Sequence, residues 1–254
     1  MFDLSDVTLL DILPFIMVGF AAQTVDGALG MAFGVISNTL LLSLGVPPAA
    51  ASAGVHTVEA FTTGVSGISH VAHRNVDWTL FARLIVPGII GGVLGAYVLS
   101  NIHAETARPF VLIYLTSIGI YLLWRGVRTA PMVKRPKVIE PLGLVGGFLD
   151  ASGGGGWGPI VTSNLLVQGA EPRKVIGTVN TVEFFLSMTI SASFIATLGF
   201  EAFTVATAGL LIGGVAAAPF GAMFAKRVPA RGLMVMVGTV LVLTSLYGVY
   251  KALA

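Results

Sequence analysis

Long apolar runs, broken at a few places by single carboxylates or glycine clusters, set the frame of this chain. Leu84–Ile102, Pro109–Trp124, Ala202–Ala225 and Gly232–Tyr250 contain no Asp, Glu, Lys or Arg. A hydrocarbon core of ~30 Å takes ~20 helical residues at ~1.5 Å each, and these runs have about that length. Ala50–Ala72 and Val175–Gly199 are equally apolar but carry one carboxylate apiece, Glu59 and Glu183. Barrel strands would alternate over ~10 residues, which these runs do not, so the pattern predicts helices. Four further apolar pieces are too short to span with ease: Leu9–Val25, Met31–Leu44, Pro141–Leu149 and Trp157–Gln168. They form two pairs, joined at Asp26–Gly30 and at Asp150–Gly156. Unpaired backbone is tolerated at membrane depth only where protein buries it or water reaches it. Each pair is therefore expected to be a re-entrant hairpin at a functional site.

Composition agrees. Of 254 residues, 10% are charged against ~25% in soluble domains. With 55% hydrophobic residues and a mean hydropathy of +0.91, one compact core could not bury the apolar surface, and disorder is excluded. A net charge of +2 without a basic run interleaved with aromatics speaks against a nucleic-acid partner. The absence of cysteine excludes disulfides, thiolate metal sites and cysteine nucleophiles. The acidic start, Met-Phe-Asp-Leu-Ser-Asp, does not read as a cleavable signal peptide.

The chain repeats itself. A shift of 124 positions superposes Asp26 on Asp150, Gly30 on Gly154, Gly34 on Gly158, Pro48 on Pro172 and Thr57-Val58-Glu59 on Thr181-Val182-Glu183; thirteen of the 36 positions from Asp26 to Phe61 are identical. Gly91-Gly92-Val93 matches Gly213-Gly214-Val215 after a change of offset. The domains are thus repeat 1 at 1–128, a basic linker at 129–140 and repeat 2 at 141–254. In repeat 1 the basic residues follow the third segment (Arg74, Arg83) and fill the linker (Arg125, Arg128, Lys134, Arg135, Lys137). In repeat 2 they precede the third segment (Arg173, Lys174) and follow the fourth (Lys226, Arg227, Arg231), a displacement of one crossing. Positive loops stay inside, so the repeats are expected to be inverted, with the linker cytoplasmic and both termini outside; Arg108 is a minor exception. The expected fold is an all-α polytopic membrane protein of two inverted-topology repeats. Each has one broken or re-entrant half-helix pair plus three transmembrane helices.

Inverted repeats with discontinuous helices are the architecture of secondary transporters, which bind substrate near the midplane. Glu59 and Glu183 lie about eight residues into their helices, at about that depth. Half-helix N-termini offer N–H donors to a small anion without a buried cation. The expected substrate-binding residues are Gly27, Gly30, Asn38, His56, Thr57, Ser152, Gly154, Gly155, Asn164, Asn180 and Thr181, with His56, Thr57 and Glu59 facing Asn180, Thr181 and Glu183. Asp26, Glu59, Asp150 and Glu183 are the candidates for proton coupling, because buried ionised groups must be neutralised, paired or hydrated. Plain structural roles compete at each position. Ser37, Thr39 and Ser163 serve as interhelical hydrogen-bonding groups, the aspartates as N-caps, the glutamates as partners of nearby polar groups and His56 as a core histidine. Gly91-Gly92 and Gly213-Gly214 are read as close-packing positions. An intramembrane serine protease built on Ser152 is disfavoured, since all four histidines lie in repeat 1. No enzyme activity, metal or cofactor is expected, and no nucleotide motif is present. A passive channel is the second reading.

The segment from Asp26 through Gly-Ala-Leu-Gly-Met-Ala-Phe-Gly to Ala-Ser-Ala-Gly-Val-His-Thr-Val-Glu59, and its second copy from Gly147-Phe-Leu-Asp150 to Gly177-Thr-Val-Asn-Thr-Val-Glu183, resembles the TauE/SafE family of sulfite and organosulfonate exporters. The resemblance covers essentially the whole chain. It implies a multi-pass inner-membrane permease for small sulfur-containing anions such as sulfite, sulfoacetate or thiosulfate. It fixes neither substrate nor direction. A homodimer is compatible with this reading, and the lipid bilayer and the anion are the partners it names.

Overall fold

The computed structural model describes residues 9–29, 31–127, 136–162, 164–165, 168, 170–199, 205–225 and 230–253. The elements among them are all helical: α1 Leu9–Leu29, α2 Phe33–Ser43, α3 Pro48–Ala72, α4 Trp78–Ser100, α5 Ala104–Val127, α6 Glu140–Gly153, a π-helical turn Gly158–Thr162, α7 Pro172–Leu198, α8 Val205–Ala225 and α9 Ala230–Leu253. Helices α4, α5 and Lys174–Leu198 of α7 are long and apolar enough to cross a membrane. The starts are set locally. Asp77 accepts from the Thr79 and Leu80 amides ahead of α4, and prolines sit in the first turns of α6 and α7.

Large apolar side chains cover the outside, and polar side chains are buried at the centre within an apolar core. Val65, Ile68, Phe110, Ile113 and Ile120 are exposed, whereas Ser37, Asn38, Thr39, Ser52, His56, Glu59, Asp150 and Thr162 are buried. Water would reverse that arrangement; a hydrocarbon solvent requires it.

Two pairings hold the centre. Helices α3 and α7 run antiparallel: Thr57 bonds Ser191, Gly64 lies on Phe184 and Gly67 on Thr181. Helices α5 and α9 do the same, with Gly119 against Leu241 and Gly248 against Leu112. Two parallel pairings flank them. In α4–α6 a β-carbon at Gly143 would come within 3.1 Å of the Leu84 carbonyl, and ones at Gly91 and Gly95 would overlap the Leu144 and Phe148 carbonyls, residue numbers rising together. In α1–α8 a β-carbon at Gly209 would meet Ile12 and Phe15, and one at Gly213 would overlap Ile16 and Phe20, again with residue numbers rising together. The first helix of each half therefore lies on the fourth helix of the other. Gly91 and Gly213 do the close packing expected of them, while Gly92 meets Leu186 and Ile190 of α7 instead.

Local structure departs from the sequence expectation in two places. Helix α1 runs on to Leu29, so Asp26 and Gly27 lie in its last turn rather than in the joint. Asp26 reaches across the joint from there, and no unwinding is needed to place its carboxylate. In the second pair, the segment after Trp157 is π-helical rather than a regular half-helix. Pro159 has no N–H for the carbonyl of Gly155 four residues back, and the Tyr114 hydroxyl donates to that carbonyl at 3.0 Å. Gly30, Ser163 and most of the 129–140 linker lie outside the described residues.

Candidate functional site

Each half-helix pair is tied across its joint by its own aspartate. Asp26 Oδ1 accepts from the Phe33 amide at 3.2 Å, and Asp150 Oδ1 from the Trp157 amide at 2.8 Å. Both bonds span seven residues and occupy the first N–H of the second segment, so the repeat extends to its hydrogen bonds. The joints differ in chemistry. Ala32 takes φ 97° in the first; Gly154, Gly155 and Gly156 take φ 70°, 132° and 155° in the second. Only glycine adopts three such conformations in succession at low cost.

The second joint is seated on α2. A β-carbon at Gly155 would overlap Gly34 and Val35, one at Gly154 would overlap the Asn38 amide, and one at Gly158 would come within 2.7 Å of Met31 Cβ. Asn38 Nδ2 donates to the Gly153 carbonyl at 2.8 Å, which fixes which way the amide points. Tyr114 of α5 closes the far side against Gly153 and Gly156.

His56 of α3 bridges to the same joint. Its Nδ1 lies 2.8 Å from the Ser52 carbonyl, which can only accept, so Nδ1 carries a proton. Its Nε2 faces Asp150 Oδ2 at 3.1 Å. Ser52 adds a bond to the Ala151 carbonyl at 2.7 Å. Both Asp150 oxygens are thus engaged, one by a backbone amide and one by an imidazole, and the pair is buried. One turn along α3, the Glu59 carboxylate lies on the Gly34 backbone amide, in electrostatic contact with Glu183, Asp150 and Asp26. Its Oε2 has no hydrogen-bond partner, nor have Asn38 Oδ1, Ser37 Oγ, Thr39 Oγ1 and Thr162 Oγ1, all buried. Among the described residues, no three His, Asp or Glu side chains converge as metal ligands.

Of the residues expected at the site, Asn38, His56, Glu59, Asp150, Gly154 and Gly155 come together, with Asp26 and Glu183 in electrostatic reach. Of the expected arrangement of His56, Thr57 and Glu59 facing Asn180, Thr181 and Glu183, the two glutamates are electrostatic neighbours, but the two threonines do not meet. Because α3 and α7 cross antiparallel, Thr57 meets Ser191 and Thr181 meets Gly67. Ser152, Asn164, Asn180 and Thr181 donate to carbonyls of their own helices, Phe148, Ile160, Ile176 and Gly177. Gly27 falls in α1 and Gly30 outside the described residues. Sequence reasoning misses Ser52, Tyr114 and Thr162. Thr162 is within its reach, as the repeat mate of Asn38; Tyr114 carries no local signal.

The sulfite exporter TauE/SafE family profile matches residues 15–248. The chain is 39% identical over 242 residues to the "Probable membrane transporter protein YtnM" of Bacillus subtilis (strain 168), covering 91% of this chain and 80% of that protein. It is 30% identical over 116 residues to the "Probable membrane transporter protein YunE" of the same organism, covering 43% and 42%. No solved structure matches. With exposed apolar helices around a buried polar centre, and with this match over nearly its full length, the chain belongs to the TauE/SafE sulfite exporter family and is a membrane transporter.

Proposed function

We propose that the protein moves a small sulfur-containing anion, sulfite or an organosulfonate, across the inner membrane by alternating access between two inverted repeats, coupled to protons through its buried carboxylates. The observation that carries this reading is the meeting of both joints at one buried polar centre: Gly155 on Gly34, Asn38 on Gly153 and His56 on Asp150. Inversion is supported by the antiparallel packing of equivalent helices, α3 on α7 and α5 on α9, which a two-fold axis in the membrane plane produces. Short-loop ends bearing Arg74 and Lys174 lie together, Lys174 Nζ donating to the Arg74 carbonyl at 2.8 Å. That basic end is the cytoplasmic one in this reading, and both termini are then outside.

The amides best placed to hold an anion, those of Phe33 and Trp157, are held by Asp26 and Asp150. An anion takes them only when the carboxylates let go, and a proton on each carboxylate weakens that hold. Proton uptake and anion binding are linked in this way. Asn38, His56 and the Gly154–Gly155 backbone form the cradle; Thr57, Ser152, Asn164, Asn180 and Thr181 lie on the surrounding helices and come to it only through movement of the repeats.

The test is sulfite and sulfoacetate flux into proteoliposomes, with and without a pH gradient, for wild type and for Glu59→Gln/Glu183→Gln. Gradient-driven flux that the double variant loses is the expected result. Flux indifferent to gradient and variant would replace the transporter by a passive channel or uniporter with structural carboxylates.

A further inference from the structure

The two joints are two-fold in their packing and one-sided in their hydrogen bonds. A β-carbon at Gly34 would come within 2.8 Å of Gly155 Cα, and one at Gly158 within 2.7 Å of Met31 Cβ. The shift of 124 positions carries the first of these contacts onto the second. The polar contacts have no such counterparts. His56 reaches Asp150 at 3.1 Å, but its repeat mate Asn180 donates to the Ile176 carbonyl of its own helix at 2.9 Å. Asn38 donates to the Gly153 carbonyl at 2.8 Å, whereas the hydroxyl of its mate, Thr162, is buried without a partner. The flanks differ as well. A β-carbon at Gly92 would meet Leu186 and Ile190 of α7 at 2.8 and 2.9 Å, while one at Gly214, its counterpart in α8, has Phe33 and Val58 at 3.7 Å. The bonds gather on the second joint, and the first has the partners without the bonds.

The His56–Asp150 bond requires a proton of its own. Nδ1 already gives its proton to the Ser52 carbonyl at 2.8 Å, and the Ser52 hydroxyl, 3.3 Å away, gives its own to the Ala151 carbonyl at 2.7 Å. Nε2 and Oδ2 are then two acceptors unless one proton lies between them, as imidazolium with carboxylate or as imidazole with carboxylic acid. An asparagine amide in the same place brings its own N–H and needs none. We propose that His56 Nε2 and Asp150 Oδ2 hold the coupling proton, and that alternating access exchanges this bond for its repeat mate, Asn180 on Asp26, releasing the proton to the side then open. This rests on the transport reading above and names the place of its proton. Rocking of inverted repeats moves each one-sided contact to its mate, so the same step gives Thr162 the carbonyl of Leu29, the counterpart of Gly153. The acidic neighbours do not alter the count. Glu59 of α3 and Glu183 of α7 each face both Asp150 and Asp26. Glu59 is the mate of Glu183 and Asp26 of Asp150, so exchanging the states exchanges their surroundings and conserves their protons. Tyr114 of α5 also faces Asp150, and a phenol of pKa ~10 keeps its proton near neutrality. That leaves His56, whose mate does not titrate.

The experiment reads the substrate-free protein in lipid nanodiscs, with spin labels at Asn101→Cys and Gly199→Cys and dipolar coupling between them as the signal. Thr197 bonds Ser100 beside them at 2.9 Å, so the labels report α4 on α7, the flank that the exchange loosens. Two populations, near and far, are expected. The near-to-far ratio should fall as pH rises from about 5.5 to about 8.5, by up to about tenfold per unit, the limit for one proton. His56→Asn and Asn180→His each make the two states alike in proton count, and the ratio should then be flat. The exchange of both, His56→Asn with Asn180→His, should reverse the slope. One distance at every pH would overturn the proposal, and so would a slope that either single variant leaves intact. Should His56→Asn not fold, Asn180→His decides, because it keeps the His56–Asp150 bond. Sulfite flux is read separately. A pH-linked exchange without flux removes the substrate assignment and leaves the proton site, while gradient-driven flux without that exchange leaves transport and removes the site.

Discussion

Gly155 and Gly45 both have left-handed backbones, φ 132° and φ 94°, but their surroundings differ. A methyl group on Gly155 would overlap the Gly34–Val35 backbone, while one on Gly45 meets nothing within 4 Å. Gly45→Ala should therefore cost only the conformational strain of ~1 kcal/mol. Gly155→Ala must part the two joints, and is expected to abolish flux and lower the melting midpoint well beyond Gly45→Ala. The same comparison orders the polar contacts. Asp150→Ala strips His56 and the Trp157 amide of their partner at once, a loss of ~3–5 kcal/mol for a broken buried pair. Tyr114→Phe removes one neutral bond to the Gly155 carbonyl and should cost ~1 kcal/mol. Denaturation in detergent reads both; equal effects would mean that Asp150 is not the centre of the network. At this scale the sequence yields the aspartates and glutamates because duplication marks them. It cannot yield Tyr114, whose partner lies 41 residues away in the joint after α6, nor the partners of Thr57 and Thr181, which depend on the crossing of α3 and α7.

Helix limits are legible wherever composition alone decides them, as in α3, α7, α8 and α9, whose ends lie close to the ends of the apolar runs, whereas α4 begins six residues before its run, at the Asp77 cap. They are not legible at the joints. There a carboxylate in an apolar helix looks like a helix end, although Asp26 stays within α1 and reaches forward. The π-helical turn is hidden for a related reason: Pro159 announces a lost hydrogen bond but not that Tyr114 will take the freed carbonyl. Glycine pairs, by contrast, report packing directly. Gly91 and Gly213 hold corresponding places in α4–α6 and α1–α8, each against a backbone carbonyl of the partner helix. Gly91→Val and Gly213→Val should therefore destabilise to a similar degree, by several kcal/mol, since neither carbonyl can move without its helix. Gly199→Ala, with open space around it but a left-handed φ of 75°, is the control and should cost only ~1 kcal/mol of backbone strain. Detergent melting of the three variants checks this, and a tolerated Gly213→Val would show that the α1–α8 packing is looser than its counterpart.

For the whole molecule, the deciding question is which ends of the helices share a side of the membrane. Lys174 bonds the Arg74 carbonyl, Lys137 bonds Gln168, and Arg83 holds Glu140 through a bidentate pair at 2.5 and 2.9 Å. These contacts gather the α3–α4 loop, the residues before α6 and the start of α7 at one end. Thr197 on Ser100, and Arg108 on the Leu42 carbonyl, gather the ends of α2, α4 and α7 and the start of α5 at the other. Arg74, Arg83, Lys137 and Lys174 fall at the first end, and the amino-acid sequence alone carries that asymmetry, because loop charge is what directs insertion. What loop charge alone cannot give is the return of each short pair to its starting side, which the parallel packing of α1 with α8 and α4 with α6 supports. The chain has no cysteine, so single replacements report cleanly. Asn75→Cys and Lys137→Cys should be inaccessible to a membrane-impermeant thiol reagent in intact cells and react after permeabilisation. Asn101→Cys and Gly199→Cys should react in intact cells. Asn75 and Gly199 bracket α3 and α7, so labelling of both from one side would break the inverted relation of the repeats, and with it the in-plane axis on which alternating access between them depends.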